Sequence, residues 1–332
     1  MLRRSIALLL VGILAVACQA TASPSAPEAS PPSASPAEVP TASAPAPSAG
    51  GASASAGAGA GELAIVAREF SYEAPATIPA GPVRITLTNQ GKEEHMAQIA
   101  KLADGTSLDQ LLAALMQNDF AAAFKMMTLV GGPTAVLPGK EQEVAAVLDP
   151  GNYALLCFVS SPDGIPHLAK GMVAQLKVTE PASPGQLPPA DAELTAEDFR
   201  FVGVDSLSAG RHVIHLTNKG PQAHEAGIVS LAPGFTVDDL RSMVTATPPP
   251  ETAAPGGPGA SPSPGGPGAS PPAGAAPPVI SAGGIAALQP GRDGTLTVNL
   301  PAGNYAWICF VPDPASGKPH AALGMIGQLT VK

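Results

Sequence analysis

Gly151-Asn-Tyr-Ala-Leu-Leu-Cys157-Phe-Val-Ser-Ser-Pro-Asp-Gly-Ile-Pro-His167-Leu-Ala-Lys-Gly-Met172 is the stretch that decides the fold. It recurs as Gly303-Asn-Tyr-Ala-Trp-Ile-Cys309-Phe-Val-Pro-Asp-Pro-Ala-Ser-Gly-Lys-Pro-His320-Ala-Ala-Leu-Gly-Met325. In both copies a β-type run ends in a Cys, a Pro/Gly loop leads to a His, and a Met follows. Nine residues separate Cys157 from His167 and ten separate Cys309 from His320, while four lie between His and Met each time. A thiolate, an imidazole and a thioether on one short loop form a soft, mixed donor set, which suits copper better than magnesium or calcium. Each copy offers a fourth donor upstream: His95 in Thr88-Asn-Gln-Gly-Lys-Glu-Glu-His95, and His224 in Thr217-Asn-Lys-Gly-Pro-Gln-Ala-His224.

Sliding the chain along itself extends the repeat well beyond these loops. At an offset of 129 residues Phe70 falls on Phe199, Gly81 on Gly210, Thr88-Asn on Thr217-Asn, Gly91 on Gly220 and His95 on His224. Further on the offset is 152, pairing Gly131-Gly with Gly283-Gly, Pro138-Gly with Pro290-Gly and Gly151-Asn-Tyr-Ala with Gly303-Asn-Tyr-Ala. The jump between the offsets is the Pro/Gly/Ser/Ala tract 247–278, which has no aromatic and, beyond Glu251, no charge to anchor it and reads as a disordered surface insert.

The order of these features is an upstream His after Asn-x-Gly, then Gly-x-Tyr-x-x-x-Cys, His, four residues, Met and a closing strand. It resembles the cupredoxin family of blue-copper domains, and the resemblance covers nearly all of both repeats. It implies an all-β protein of two tandem cupredoxin-like Greek-key β-sandwiches, each with a helical insert. It also implies copper held by His95, Cys157, His167 and Met172 in one site and by His224, Cys309, His320 and Met325 in a second, one ion per repeat. The Cys-to-His loops depart from the pattern of the small electron carriers in being longer; loops of this length occur in the larger copper enzymes of the family.

The residue patterns agree with such a sandwich. In the first repeat, 62–179, strands are expected over Leu63–Phe70, Val83–Thr88, Glu143–Leu148, Tyr153–Val159 and Val173–Val178, with a turn at Ile78-Pro-Ala-Gly-Pro. Between Thr106 and Val130 the leucines at 108, 111, 112 and 115 fall at helical spacing after Thr106 or Ser107 as a cap, which predicts one or two inserted helices. Met126 and Met127 belong to that apolar helical stretch and read as core rather than ligands. The Pro-rich segment 180–191 is the linker, and 192–332 is the second repeat.

At 332 residues the chain has room for two ordinary domains, although 39 Pro and 36 Gly place much of it outside a packed core. Its net charge of -9 offers no basic footprint for nucleic acid or for an anionic membrane surface. Met1-Leu-Arg-Arg followed by the short apolar run to Ala17 reads as a signal peptide, 1–18. Leu14-Ala-Val-Ala-Cys18 resembles the lipobox of bacterial lipoproteins, with Cys18 as the lipidated residue; Ala15-Val-Ala17 would also serve ordinary signal peptidase. Residues 19–61 are almost wholly Ala, Ser, Pro, Gly and Thr, which predicts a disordered tether spanning roughly 35 Å. Of the three cysteines, Cys157 and Cys309 sit at equivalent repeat positions; a disulfide between them would demand a very particular packing.

Four of the six histidines fall at the ligand positions. The other two, His212 and His215, are three apart on a strand and point to opposite faces, so they do not share a metal. Multicopper oxidases of the family add a cluster that needs His-x-His pairs, and the nitrite-reductase type adds a copper held by three further histidines, so this chain is not expected to be an enzyme. Tyr153, Tyr305 and Trp307 read as core beneath the sites. The expectation is a copper-binding electron carrier, lipid-anchored on the extracytoplasmic side of a bacterial membrane, with an unspecified redox or copper-exchange protein as partner. Two alternatives stay open: a copper storage or delivery lipoprotein, and a metal-free cupredoxin-like binding module.

Overall fold

The computed structural model describes residues 61–180, 185–246 and 277–332. The signal peptide, Cys18, the tether to residue 60, linker residues 181–184 and residues 247–276 of the 247–278 insert lie outside the described residues. The first repeat comprises β1 (Gly61–Arg68), β2 (Ser71–Glu73), β3 (Thr77–Pro79), β4 (Gly81–Asn89), β5 (Gln98–Leu102), α1 (Leu108–Met116), α2 (Phe120–Met126), β6 (Met127–Leu129), β7 (Glu141–Leu148), β8 (Gly151–Leu156) and β9 (Val173–Thr179). The second comprises β10 (Ala192–Glu197), β11 (Arg200–Gly203), β12 (Ser206–Leu207), β13 (Gly210–Asn218), β14 (His224–Leu231), α3 (Val237–Thr245), β15 (Val279–Leu288), β16 (Asp293–Leu300), β17 (Gly303–Ile308) and β18 (Ile326–Val331).

Each repeat is a sandwich with the same strand order. Its first sheet runs β2-β1-β4-β7, or β11-β10-β13-β16 in the second repeat; its other sheet runs β3-β9-β8-β5-β6, or β12-β18-β17-β14-β15. The cause is alternation at period two: Leu63, Ile65 and Ala67 of β1 and Val83, Ile85 and Leu87 of β4 face inward with at most 1% exposure. Each Leu, Ile or Val so buried contributes about 1.5–3 kcal/mol. Strands β1 and β4 are parallel neighbours, whereas β8 joins β5 and β9 antiparallel, which is a Greek-key rather than a simple meander arrangement.

Three local expectations need correcting. Thr77–Pro79 is a short strand paired in parallel with β9, not part of the turn, and Pro79 is tolerated because this strand lies at the sheet edge. The helical insert ends at Met126: Met127 and Leu129 lie in β6, opposite Leu102 and Ala100 of β5, so strand pairing overrides the helical spacing there. Strand β8 stops at Leu156 and leaves Cys157 to Val159 in the loop. The helix start is set by Ser107, whose hydroxyl accepts from the Gln110 amide at 3.2 Å while its own amide donates to Gln110 Oε1 at 2.8 Å. Thr236 and Asp239 form the same device before α3, the one helix described in the second repeat. Cys157 and Cys309 are both free and buried.

The two repeats are continuous with one another. Strand β7 pairs antiparallel with β16, making a single sheet of 8 strands, and Val144 faces Leu296, its own counterpart at the 152-residue offset. Pro133 likewise faces Ile285, again its counterpart, so both junctions lie on one pseudo-two-fold axis. Gln98 bolts this junction: its amide nitrogen donates to the carbonyls of Ile99, Gly131 and Ala287 at 3.0–3.1 Å, and its oxygen accepts from the Ala287 amide at 2.8 Å. Its counterpart in the second repeat is Gly227, so the bolt is present once. Removing its polar end orphans buried groups at about 1–3 kcal/mol each. Gln98→Leu is therefore expected to destabilise the protein by about 2–4 kcal/mol, read as a lower urea midpoint; an unchanged midpoint would contradict this account of the junction.

Candidate metal centres

The upstream His is set by the Asn-x-Gly turn. Asn89 Oδ1 accepts the Gly91 amide at 2.8 Å while its Nδ2 donates to the carbonyls of Glu93 and Val136 at 2.8 and 2.7 Å, which fixes the loop that delivers His95. Asn218 repeats this with Gly220, Gln222 and Leu288 to deliver His224. Glycine is required because a Cβ at position 91 would lie 2.7 Å from His95 Nε2, and one at position 220 would lie 2.6 Å from His224 Nε2.

The other three residues share one loop. His167 takes the Val159 carbonyl at 2.8 Å and starts a 3-10 turn, His167–Lys170, which Gly171 ends in the left-handed region at φ 97°. The Met172 amide then donates back to the His167 carbonyl at 2.9 Å, and the Cys157 amide to the Met172 carbonyl at 3.4 Å. Cys, His and Met are thus fastened to one another through backbone, and the four-residue spacing is what that turn requires. His320–Leu323, Gly324 at φ 112° and Met325 reproduce it in the second repeat.

The side chains converge. His95 Nδ1 lies 3.0 Å from His167 Nδ1, which is 3.4 Å from Cys157 Sγ. His224 Nδ1 lies 3.0 Å from His320 Nδ1, which is 3.5 Å from Cys309 Sγ. Within each group of His, Cys and His, one donor atom from each residue lies within 4.8 Å of the others, and these six residues, like Met172 and Met325, are fully buried. Phe70 covers His167 edge-on with ring centroids 5.1 Å apart, and Phe199 covers His320 at 5.0 Å.

Tautomers follow from the outer nitrogens. His224 Nε2 donates to Asp198 Oδ1 at 2.7 Å, and His320 Nε2 donates to Gln222 Oε1 at 3.2 Å. The Gln222 amide is held that way round because its nitrogen faces Asp198 and Asp313. With both outer N–H groups committed, both Nδ1 atoms carry lone pairs, and they point at each other beside a thiol. In the first site His167 Nε2 donates to Glu93 Oε2 at 3.0 Å, whereas His95 Nε2 is buried without a partner among the described residues. In the second site, two bare imidazole nitrogens and a sulfur aimed at one point fit a thiophilic cation. Asp198, Gln222 and Glu93 were not picked out in sequence as ring-orienting residues; Gln222 and Glu93 lie two residues before a ligand His, whereas Asp198 is 26 residues from His224 and has no such signal.

Burial sets the protonation of the donors. It lowers His95 and His320 to about 4 and lowers His167 and His224 as well, so all four imidazoles are neutral near pH 7. It also pushes the Cys157 thiol up to about 12 and Cys309 well above its ordinary value, so a bound cation is what ionises them. Backbone N–H groups of Met96 and Val159 stand ready at the Cys157 sulfur, and those of Glu225 and Val311 at Cys309.

The sites also differ at an equivalent position beside the sulfur. The Tyr72 hydroxyl donates to the Met96 carbonyl and also reaches the Cys157 sulfur, whereas its counterpart Phe201 offers only a ring, packed 6.3 Å from Trp307. His212 and His215 stay away from both centres: His212 pairs with Asp191 at 2.9 Å, and His215 bridges Glu193 and Asp293 at 2.9 and 2.8 Å.

No protein-family model and no curated protein sequence matches the chain. Among solved structures it is similar to reduced auracyanin from Roseiflexus castenholzii, at 20% identity over 36% of this chain and 98% of that one, with a TM-score of 0.27. It is also similar to a multicopper oxidase, at 15% identity over 82% of this chain and 88% of that one, with a TM-score of 0.22. Copper nitrite reductase from Nitrosomonas europaea matches at 14% identity over 82% and 93%, with a TM-score of 0.22. At such values the fold is defined by the chain's own strand order and donor geometry. On those grounds the chain is a tandem protein of the cupredoxin fold, with a His, Cys, His set suited to type 1 copper in each repeat.

Proposed function

We propose that the protein is a one-electron carrier holding one copper ion in each repeat. The observation that carries this reading is the second site, where both imidazoles spend their N–H on Asp198 and Gln222 and turn bare Nδ1 atoms 3.0 Å apart toward each other and the Cys309 thiol. Copper bound to such a set passes between its +1 and +2 states with little change of geometry. The protein's part is to hold the donors still: one imidazole comes from the loop after β4 or β13, and the other three donors come from a single backbone-fastened loop. Full burial keeps water from the donors, and the Asp198, Gln222 and Glu93 contacts stop the rings from turning.

The reading extends to the cell surface. Cys18 would carry the lipid, residues 19–61 would serve as the tether, and the partner would be a redox protein on the extracytoplasmic side of a bacterial membrane. A catalytic role is not proposed, since His212 and His215 are each tied to carboxylates of their own sheet, away from both centres.

Copper loading of the purified full chain is expected to give two ions per chain and a strong visible thiolate-to-copper absorption. Cys157→Ser and Cys309→Ser should each remove about half of it. A colourless product with no bound copper overturns the proposal. Without metal, the depressed His values mean that the unfolded chain takes up protons first. Glu94 and Glu225, raised to about 7 by burial, act in the opposite direction over the same window, so the His contribution is read in the Glu94→Gln, Glu225→Gln double variant. The stability of that variant should fall as pH drops from about 6.5 to about 4, measured as the urea midpoint at each pH. Finally, Tyr72→Phe removes a donor near one thiolate, leaving more electron density on that sulfur. It should lower the reduction potential of the first site and leave the second unchanged, as followed by spectroelectrochemistry.

A further inference from the structure

Where the two repeats meet there is a cavity of about 180 Å³ that neither metal centre uses. Its walls come from both halves and are mostly apolar, with the phenyl rings of Phe120, Phe124, Phe158 and Phe310 among them. Two carboxylates, Glu94 and Glu225, interrupt this lining, and no Lys, Arg or His joins them. Glu225 is only 9% exposed, and its Oε1 accepts the Phe310 amide at 2.7 Å. A carboxylate set in an apolar wall is costly unless a cation or several donors meet it or it takes up a proton, and burial pushes both carboxyls up to about 7. Glu94 stands next to His95 and Glu225 next to His224, so the cavity abuts both ligand strands without sharing a ligand.

We propose that this cavity binds a small apolar amine: a hydrocarbon body of about one ring bearing one protonated nitrogen. The size follows from volume, since an apolar cavity of about 150 Å³ accommodates benzene. The body follows from the walls, which offer apolar contact and aromatic faces that attract cations. The nitrogen follows from the carboxyl groups: an ammonium ion donates to a carboxylate and offsets one negative charge, a neutral hydrocarbon adds no donor to the Phe310 amide already on Glu225, and an anion is repelled.

The test is calorimetric titration of the purified full chain with benzylamine, benzyl alcohol and benzoate, three probes of one shape and different charge. No metal is added, so the outcome is independent of the copper proposal. Benzylamine is expected to bind once per chain, benzyl alcohol about tenfold more weakly or worse, and benzoate not at all. Glu94→Gln and Glu225→Gln, which keep the side-chain shape, should each weaken benzylamine by about tenfold while leaving the circular dichroism of the sheets unchanged. If a variant fails to fold, the three-probe series on the parent protein decides. Equal binding of benzylamine and benzyl alcohol, no benzylamine binding at millimolar concentration, or undiminished binding in folded Glu→Gln variants would overturn the proposal.

Discussion

In the second site two unprotonated ring nitrogens held 3.0 Å apart repel one another, and the rest of that sandwich can be understood as the means of holding them there. A free imidazole would rotate or take up a proton. Here rotation of His224, His320 and His167 is blocked by the ties of their outer nitrogens to Asp198, Gln222 and Glu93, and Phe199 and Phe70 pack against His320 and His167. Protonation is opposed by burial, which keeps the charged form out of a dry interior. The same dryness holds the neighbouring thiol in its neutral form, so the pocket is set to respond to a metal ion and to little else.

Much of this was legible in the sequence because it lies close together in the chain. The Cys, His, Met loop occupies barely sixteen consecutive residues in the first repeat, from Cys157 to Met172, and its spacing encodes the 3-10 turn and left-handed Gly that the structure contains. The Asn-x-Gly turn before His95 was equally visible, since the glycine is forced by the nearness of the ring. The parts that were not legible depend on contacts across long separations. Asp198 meets His224 from another strand connection, and Gln98 reaches Ala287 over 189 residues; no local periodicity records either. Strands β3 and β6 were missed for a related reason. Each is three residues long and exists only because a partner strand, β9 or β5, lies alongside.

The repeat also shows which features the fold demands and which a site adds. Strand order, the Asn-x-Gly turn, the capping phenylalanine and the Cys, His, Met loop are the same in both halves. The groups around them are not: Tyr72 is answered by Phe201, Gln98 by Gly227, and the direct Glu93 contact by the Gln222 and Asp198 pair. Two centres with the same ligands therefore sit in different electrostatic surroundings, which is the condition for unlike potentials within one molecule.

Val144 opposite Leu296 and Pro133 opposite Ile285 have a meaning beyond adhesion. In a pair of identical subunits related by a two-fold axis, the residue on the axis meets its own copy. This chain has that geometry with its two subunits spliced into one polypeptide. Splicing fixes the halves at an effective concentration far above that of separate molecules, so the junction no longer has to secure its own assembly. It also lifts the requirement that both sides of the axis carry the same residue, and the lone Gln98 is a change that a true homodimer would have had to make twice.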